Sequence, residues 1–222
     1  MPSVGFFVSV EGIDGCGKTT QIRLLVERLA ALGVPTLLAQ EPGGTATGRL
    51  IRSVLLDARN HGIEPMTELL LFFASRAQNL AEVIRPALDA GQVVVCDRFT
   101  DASVAYQGYG RGLGAASVQQ LSEVACGDLQ PDLTLWLDIE PAAALARAGK
   151  RESGGSAGRD RMESEALEFF LRVREGYAHT HADQPQRIRR IAADGSVSEV
   201  FDRVMAAVFP ALEARGFVVR SN

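Results

Sequence analysis

Lysine is nearly absent from this chain of 222 residues, because only Lys18 and Lys150 are lysines among 23 basic residues. Arginine fills the other basic positions, so a retained lysine indicates a chemical requirement at its site. The acidic residues number 27, which leaves a net charge of -4 and a pI near 5.5. This charge argues against nucleic acid as the main partner.

Cysteine and long apolar runs are also scarce. Three cysteines, Cys16, Cys96 and Cys126, have no C-x-x-C spacing, and their odd number gives no disulfide framework. We therefore expect a reducing cytoplasm. No run approaches about 18 apolar residues and the N-terminus has no signal-peptide pattern, so we expect neither a membrane span nor export.

Short apolar runs alternate with helical patterns along the whole chain. Continuous apolar strands are typical of a parallel sheet buried on both faces. The pattern predicts one α/β domain over 1–222, with a five-stranded parallel sheet flanked by helices. The predicted strands are 6–10, 36–39, 92–96, 133–137 and 188–192. The predicted helices are 18–32, 45–56, 66–89, 115–126, 141–149, 164–181 and 197–215.

The segment between the first strand and the first helix matches G-x-x-x-x-G-K-[ST], the phosphate-binding P-loop. Its glycines let backbone N–H groups point at a phosphate chain, and the helix N-terminus adds a positive dipole. Lys18 is expected to reach the β- and γ-phosphates, and Thr19 to bind Mg²⁺. The predicted ATP-binding residues here are Gly12, Ile13, Asp14, Gly15, Cys16, Gly17, Lys18, Thr19 and Thr20.

Two charged residues follow the third strand. Asp97 would stand at the carboxyl edge of the sheet beside the P-loop, where Mg²⁺ or its waters are held. Arg98 would share that crevice and could bind a phosphate with two parallel hydrogen bonds.

A second group of arginines accompanies the Gly- and Ser-rich segment 148–161, which we interpret as a mobile lid. Arg147 and Arg151 are four residues apart and share a helix face. Because the variable P-loop positions contain no basic residue, arginines that stabilise a phosphoryl transition state must come from elsewhere. The alternative is a solvated charged face.

Cys16 lies beside Lys18 at a helix N-terminus, a position that favours a reactive thiolate. One interpretation is therefore a reactive cysteine that ATP protects. The other is a small residue whose thiol turns into the protein.

Six motifs occur in order along the chain, and together they resemble thymidylate kinases from about residue 6 to 202. They are Glu11-Gly12-Ile13-Asp14-Gly15-Cys16-Gly17-Lys18-Thr19-Thr20, Glu41-Pro42-Gly43-Gly44-Thr45, Asp97-Arg98, Ala105-Tyr106-Gln107-Gly108, Pro131-Asp132-Leu133 and Asp160-Arg161-Met162-Glu163. The bacterial type, in which lid arginines replace a P-loop arginine, is the closer likeness. The resemblance implies transfer of the γ-phosphoryl group of ATP to dTMP with Mg²⁺, by a homodimer. Gln40 is a departure, since many relatives have arginine there.

The resemblance also implies roles around the nucleoside of dTMP. Asp14 would accept a hydrogen bond from the 3′-hydroxyl, Phe72 would stack on thymine, and Arg76 would reach a thymine carbonyl. Tyr106 would pack under the deoxyribose, and Tyr177 would close over the sugar. The same likeness adds two polar residues to the substrate site, Ser103 and Gln107.

Around the phosphates, the resemblance implies that Arg52 and Arg98 bind the phosphate of dTMP. Arg147 would lie beside ATP, and Arg151 would be the main catalytic arginine, with Arg159 as its competitor for that role. The predicted catalytic set is therefore Lys18, Arg98 and Arg151, with Thr19 and Asp97 at the metal.

Two other functions remain open at this point. One is a kinase for another nucleoside or nucleoside monophosphate. The second is a P-loop NTPase switch, although the sequence has no N-K-x-D-type guanine signature. A phosphate monoester is already ionised at pH 7, so a kinase of this kind requires no general base.

Overall fold

The computed structural model describes residues 5–152 and 160–217, apart from the side chains of 150–152. A five-stranded parallel sheet organises this part of the chain, with strand order β2-β3-β1-β4-β5. The prediction of an α/β fold with five parallel strands is confirmed. The strands are β1 Phe6–Glu11, β2 Thr36–Gln40, β3 Val93–Asp97, β4 Leu133–Asp138 and β5 Ile188–Ala192.

The central strand β1 sets the position of the P-loop. It pairs with β3 on one side, with Val10 opposite Asp97, and with β4 on the other, with Val8 opposite Leu133. All six residues of β1 and of β4 are buried, as the apolar runs predicted. The carboxyl ends of β1 and β3 are therefore adjacent, so the residues that follow them share one edge of the sheet.

Helices cover both faces of the sheet, and among the described residues none is long and apolar enough to cross a bilayer. The helices are α1 Lys18–Ala31, α2 Ala46–Leu56, α3 Pro65–Asn79, α4 Arg85–Asp89, α5 Thr100–Ser103, α6 Ala115–Cys126, α7 Pro141–Glu152, α8 Leu167–Asp183 and α9 Val197–Ala214.

Alternate strand residues face two separate cores. Val8 and Val95 pack on the side of α1, α8 and α9, whereas Phe7 and Val94 pack on the side of α3 and α6. This period of two is what a pleated strand with both faces covered requires.

Two π-helical segments depart from the predicted helices. Leu80–Ile84 joins α3 to α4 within the predicted helix 66–89, just before Pro86, which has no N–H to donate. Val104–Gly110 extends α5 and was not predicted, because its small and glycine residues give no amphipathic period. It contributes site residues.

The predicted helix 164–181 begins later, at Leu167. Asp160 Oδ1 accepts the N–H groups of Met162 and Glu163 at 2.8 and 2.9 Å, and Asp160 O accepts that of Ser164 at 3.1 Å, so the chain forms a separate turn before the helix. The single-domain boundaries and the lid at 148–161 stay predictions, since 153–159 lie outside the described residues.

A buried chain of polar side chains ties α5 to the sheet. Arg187 binds both carboxylate oxygens of Asp101 at 2.7 Å, and Thr134 donates to Asp101 at 2.8 Å. Ser9 on β1 lies 2.9 Å from Thr134. Asp101 is only 3% exposed, so removal of Arg187 would leave an uncompensated buried charge.

We expect Arg187→Ala to lower the free energy of unfolding by about 3 kcal/mol, the cost of breaking a buried ion pair. Urea denaturation followed by circular dichroism measures it. Arg23→Ala is the matched control, because Arg23 pairs with Glu27 on the exposed face of α1 and such pairs contribute well under about 1 kcal/mol. Equal losses in both variants would contradict the expectation.

Candidate active site

A cavity of about 210 Å³ opens at the carboxyl edge of the sheet. Its walls come from the P-loop, the ends of β2 and β3, helices α2 and α3, the first π-helical turns after α5, and the segment that begins at residue 160. The lining residues are Asp14, Lys18, Thr19, Gln40, Glu41, Pro42, Arg52, Leu56, Phe72, Arg76, Asp97, Arg98, Ala102, Ser103, Tyr106, Gln107, Asp160, Met162 and Glu163.

Left-handed glycines shape the P-loop between β1 and α1. Gly15 has φ +83°, and a Cβ there would lie 2.1 Å from the carbonyl oxygen of Ala144 on α7. Gly17, with φ +97°, immediately precedes α1. The other predicted loop residues that frame the turn without lining the cavity are Gly12, Ile13, Cys16 and Thr20.

Lys18 is held inside the loop with its amine at the cavity. Its Nζ donates to the carbonyl of Gly12 at 3.1 Å and lies 3.8 Å from Asp14 Oδ1. The side chain is only 8% exposed. The ammonium is thereby aimed at the space where a P-loop holds phosphates.

Thr19 and Asp97, the predicted metal ligands, both line the cavity. Asp97 Oδ1 is buried and has no hydrogen-bond partner among the described residues. A buried carboxylate oxygen without a partner is costly unless a ligand satisfies it. This donor set, one carboxylate and one hydroxyl, fits Mg²⁺, which keeps several waters and substrate oxygens as ligands.

Arg98 lines the cavity and contacts several neighbouring groups through its guanidinium. Its Nη2 donates to Asp14 at 2.7 Å and to the hydroxyl of Tyr106 at 3.0 Å. Its Nη1 donates to Gly12 O at 2.9 Å. Burial opposes ionisation of Asp14, but the charges of Arg98 and Lys18 outweigh it and hold the pKa of that carboxyl below its ordinary value. A negative Asp14 and a positive Arg98 therefore meet at the cavity wall.

Phe72 and Arg76 lie on one face of α3 and both line the cavity. Arg76 is almost fully buried, ion-paired with Glu41, and donates to Ser103 Oγ at 3.1 Å. The ring of Phe73 lies 4.6 Å from its guanidinium carbon. Phe72 is half-buried and leaves ring surface facing the cavity.

Three further substrate residues were predicted from the resemblance. Gln107 lines the cavity and donates through Nε2 to Glu68 at 2.9 Å. Arg52 also lines it and donates to Pro42 O at 2.8 Å. Tyr106 lines it with its hydroxyl 3.2 Å from Asp14.

Tyr177 occupies a different place from the one expected. It is buried and does not line the cavity, because its ring packs on Trp136 and its hydroxyl lies behind Arg98, 3.4 Å from Nη1. The structure therefore places the Tyr177 side chain behind Arg98, and its closure over the sugar stays a prediction.

The arginines around residue 150 divide into three groups. Arg147 is exposed and donates to Ala193 O at 3.0 Å, away from the cavity. Arg151 lies in the last turn of α7, but its side chain is outside the described part, as is Arg159. The positive charge of Arg161 is paired with Glu68, because its Nη2 lies 2.6 Å from that carboxylate.

Several residues of the cavity wall were missed by sequence reasoning. Glu41 forms an ion pair with Arg76. Glu68 accepts a hydrogen bond from Gln107 and forms ion pairs with Arg111 and Arg161. The motifs around Glu41 and Asp160 signalled importance but gave no partner. The sequence gives no indication of the role of Glu68. A glutamate within an apolar helix is predicted to be exposed, unless its partners from distant parts of the chain are known.

The structure contradicts a reactive Cys16. The side chain is 2% exposed and belongs to the core on the α1 side. Burial raises the pKa of the Cys16 thiol above its ordinary value, and the charges of Lys18 and Arg98 do not cancel that effect. The alternative, a thiol turned into the protein, is correct.

We expect all three buried thiols to react slowly with maleimide in the native enzyme and completely after unfolding in guanidinium. Mass spectrometry of labelled peptides measures each site. ATP should not change the native rate at Cys16. A Cys16 adduct that forms first and is suppressed by ATP would restore the reactive interpretation.

Comparisons with known proteins agree with this geometry. The family model described as thymidylate kinase matches residues 10–204. A thymidylate kinase from Synechococcus sp. (strain JA-2-3B'a(2-13)) is 52% identical over 208 residues, covering 93% of this chain and 95% of the relative. One from Pelobacter propionicus is 48% identical, covering 92% and 94%.

The crystal structure of thymidylate kinase from Ehrlichia chaffeensis superposes with a TM-score of 0.75 at 31% identity, covering 92% of this chain and 98% of that one. The chain therefore belongs to the thymidylate kinase family, whose reaction is the ATP-dependent phosphorylation of dTMP to dTDP.

Proposed function

We propose that the cavity at the carboxyl edge of the sheet is where this chain transfers the γ-phosphoryl group of ATP to dTMP, a step of dTTP biosynthesis. The observation that carries the proposal is the convergence of Lys18, Asp14 and Arg98 at one cavity, each held by hydrogen bonds. The P-loop supplies the donor side, and Arg98 with Asp14 supplies the acceptor side.

ATP binds with its phosphates along the P-loop backbone and Lys18. Thr19 and Asp97 would hold Mg²⁺, which would neutralise charge on the phosphate oxygens. The partnerless oxygen of Asp97 supports this assignment. We assign Arg147, which donates to Ala193 O after β5, to the outer part of ATP beyond the cavity.

The phosphate of dTMP binds to Arg98 and Arg52, both of which line the cavity. Asp14, kept ionised by Arg98, accepts a hydrogen bond from the 3′-hydroxyl. Tyr106 packs beneath the deoxyribose. The hydroxyl of Tyr106 is already held by Asp14 and Arg98, so its ring is fixed before substrate arrives.

The thymine ring stacks on Phe72, with Arg76, Ser103 and Gln107 at its polar edge. The contacts of Arg76 with Glu41 and Ser103 support this, because they fix its guanidinium before the base enters. A rigid, pre-formed set of donors costs little entropy on binding.

Phosphoryl transfer here depends on position and charge. The acceptor phosphate needs no base, and Lys18, Arg98 and an arginine from 151 or 159 stabilise the transferring group; a bound Mg²⁺ would supply further positive charge. We propose the cytoplasm as the location, since the three cysteines are free thiols.

The chain is further proposed to form a homodimer through α2 and α3, which pack against each other. Leu50 and Val54 on α2 and Met66 and Leu70 on α3 are exposed apolar residues, with Leu70 49% exposed. Exposed apolar residues on two neighbouring helices are typical of subunit interfaces.

Replacement of Lys18 by Met tests the proposed site. We expect the folded variant to lose about 10²–10³ in kcat, the typical effect of removing one donor to the developing charge. A coupled ADP-release assay with dTMP, dUMP, dCMP and dAMP measures turnover and selectivity. Arg23→Met, on the exposed face of the same helix, is the control and should keep normal activity. Near-normal turnover of folded Lys18→Met would refute the assignment.

Leu70→Glu is expected to convert the dimer into a monomer, because a charge would be buried in the proposed interface. Light scattering after size exclusion should give twice 23.8 kDa for the unmodified chain and 23.8 kDa for the variant. Leu171→Glu, at 47% exposure on α8, is the control and should stay dimeric. A monomeric unmodified chain at micromolar concentration would end the proposal.

A further inference from the structure

Glu11, the last residue of β1, is a buried carboxyl group that the reaction as proposed does not use. Its side chain is fully inaccessible to solvent. Among the described residues no basic side chain forms an ion pair with it. A buried acid without a counter-ion is rare and costs stability unless hydrogen bonds satisfy it.

Both oxygens of Glu11 contact groups that surround Arg98. Oε1 accepts the backbone N–H of Phe99 at 2.7 Å. Oε2 lies 3.0 Å from the hydroxyl of Tyr177, and that hydroxyl lies 3.4 Å from Arg98 Nη1. Glu11 therefore reaches Arg98 by two routes, one along the backbone and one through Tyr177.

The backbone of Arg98 needs such support. Its φ of +70° makes it the one residue other than glycine with a left-handed backbone in the part of the chain that the structure describes. A conformation of this kind persists only where surrounding contacts enforce it. The N–H of Arg98 donates to Val10 O at 3.1 Å, and the next N–H, that of Phe99, donates to Glu11.

We propose that Glu11 is a positioning residue for the acceptor phosphate: it fixes the left-handed backbone of Arg98 and, through Tyr177, the direction of its guanidinium. This inference rests on the proposed role of Arg98 in binding the phosphate of dTMP. Glu11 itself does not touch the substrate.

The charge of the site is consistent with this role. Burial, together with the nearby Asp101, raises the pKa of Glu11 to about 8, whereas Arg98 and the bonds from Phe99 and Tyr177 act in the opposite direction. Cys96 at the end of β3 also faces Glu11. The raised pKa favours the neutral acid, a form that holds Arg98 in place without cancelling its charge. Asp14 remains the counter-ion.

A carboxylic acid and a primary amide have nearly the same shape, and each has an acceptor oxygen and a donor group. Glu11→Gln should therefore keep the contact of its oxygen with the N–H of Phe99, and its NH2 group can donate to the hydroxyl of Tyr177, which donates to Oε2 in the unmodified chain. Glu11→Ala removes both, and Tyr177→Phe removes the second route alone.

The test measures the dissociation constants of dTMP and of Mg-ATP, each alone, by calorimetry at pH 7. We expect Glu11→Ala to weaken dTMP about tenfold, in line with the loss of one to two hydrogen bonds, and ATP less than about twofold. Glu11→Gln should stay within about threefold of the unmodified enzyme for both ligands. Thermal unfolding of each variant reports its fold.

A double-mutant cycle with Arg98→Ala separates positioning from general stability. If Glu11 acts through Arg98, Glu11→Ala causes no further loss of dTMP affinity in the Arg98→Ala background. Additive losses, equal weakening of ATP and dTMP, or a Glu11→Gln variant as weak as Glu11→Ala would each overturn the proposal.

The proposed role of Arg98 and the proposed role of Glu11 can be refuted separately. If Arg98→Ala binds dTMP normally, the proposed role of Arg98 is wrong, and the proposed role of Glu11 is wrong as well. If Arg98→Ala binds weakly but Glu11→Ala binds normally, only the inference about Glu11 is wrong. If Glu11→Ala does not fold, Tyr177→Phe decides: about threefold weaker dTMP with unchanged ATP supports the route through Tyr177, and unchanged dTMP overturns the proposal.

Discussion

The side-by-side pairing of β1 and β3 is the constraint on which the site depends. It places the P-loop, which follows β1, next to Asp97 and Arg98, which follow β3. Arg98 then bridges the two by donating to Gly12 O and to Asp14. Donor and acceptor halves of the cavity are thus joined by one side chain, whose backbone is held in a conformation that arginine rarely adopts.

Buried arginines take part in this organisation throughout the acceptor side. Arg76 binds Glu41, and Arg111 and Arg161 bind Glu68, all within or just behind the cavity wall. A planar guanidinium can satisfy several acceptors at once and stays charged when buried. Arginine therefore suits the cavity walls, whereas Lys18 is directed at the phosphates.

Sequence reasoning was most successful where local signals were strong. The five strands, the P-loop and the helix of Phe72 and Arg76 follow from apolar periodicity and glycine spacing, and the structure has them. It failed where long-range packing decides: the π-helical turns that carry Tyr106 have no period, and burial opposes the reactivity expected of Cys16. No local signal indicates that contacts with Glu11 and Trp136 place Tyr177 behind Arg98.

The close approach of Gly15 to Ala144 limits how this site can be built. Because the carbonyl of Ala144 occupies the space where a Cβ at position 15 would lie, no side chain fits there while α7 stays in place. Position 15 is therefore closed to a charged side chain. Positive charge there has to come from another part of the chain, so the packing of α7 against the loop excludes one possible source of catalytic charge.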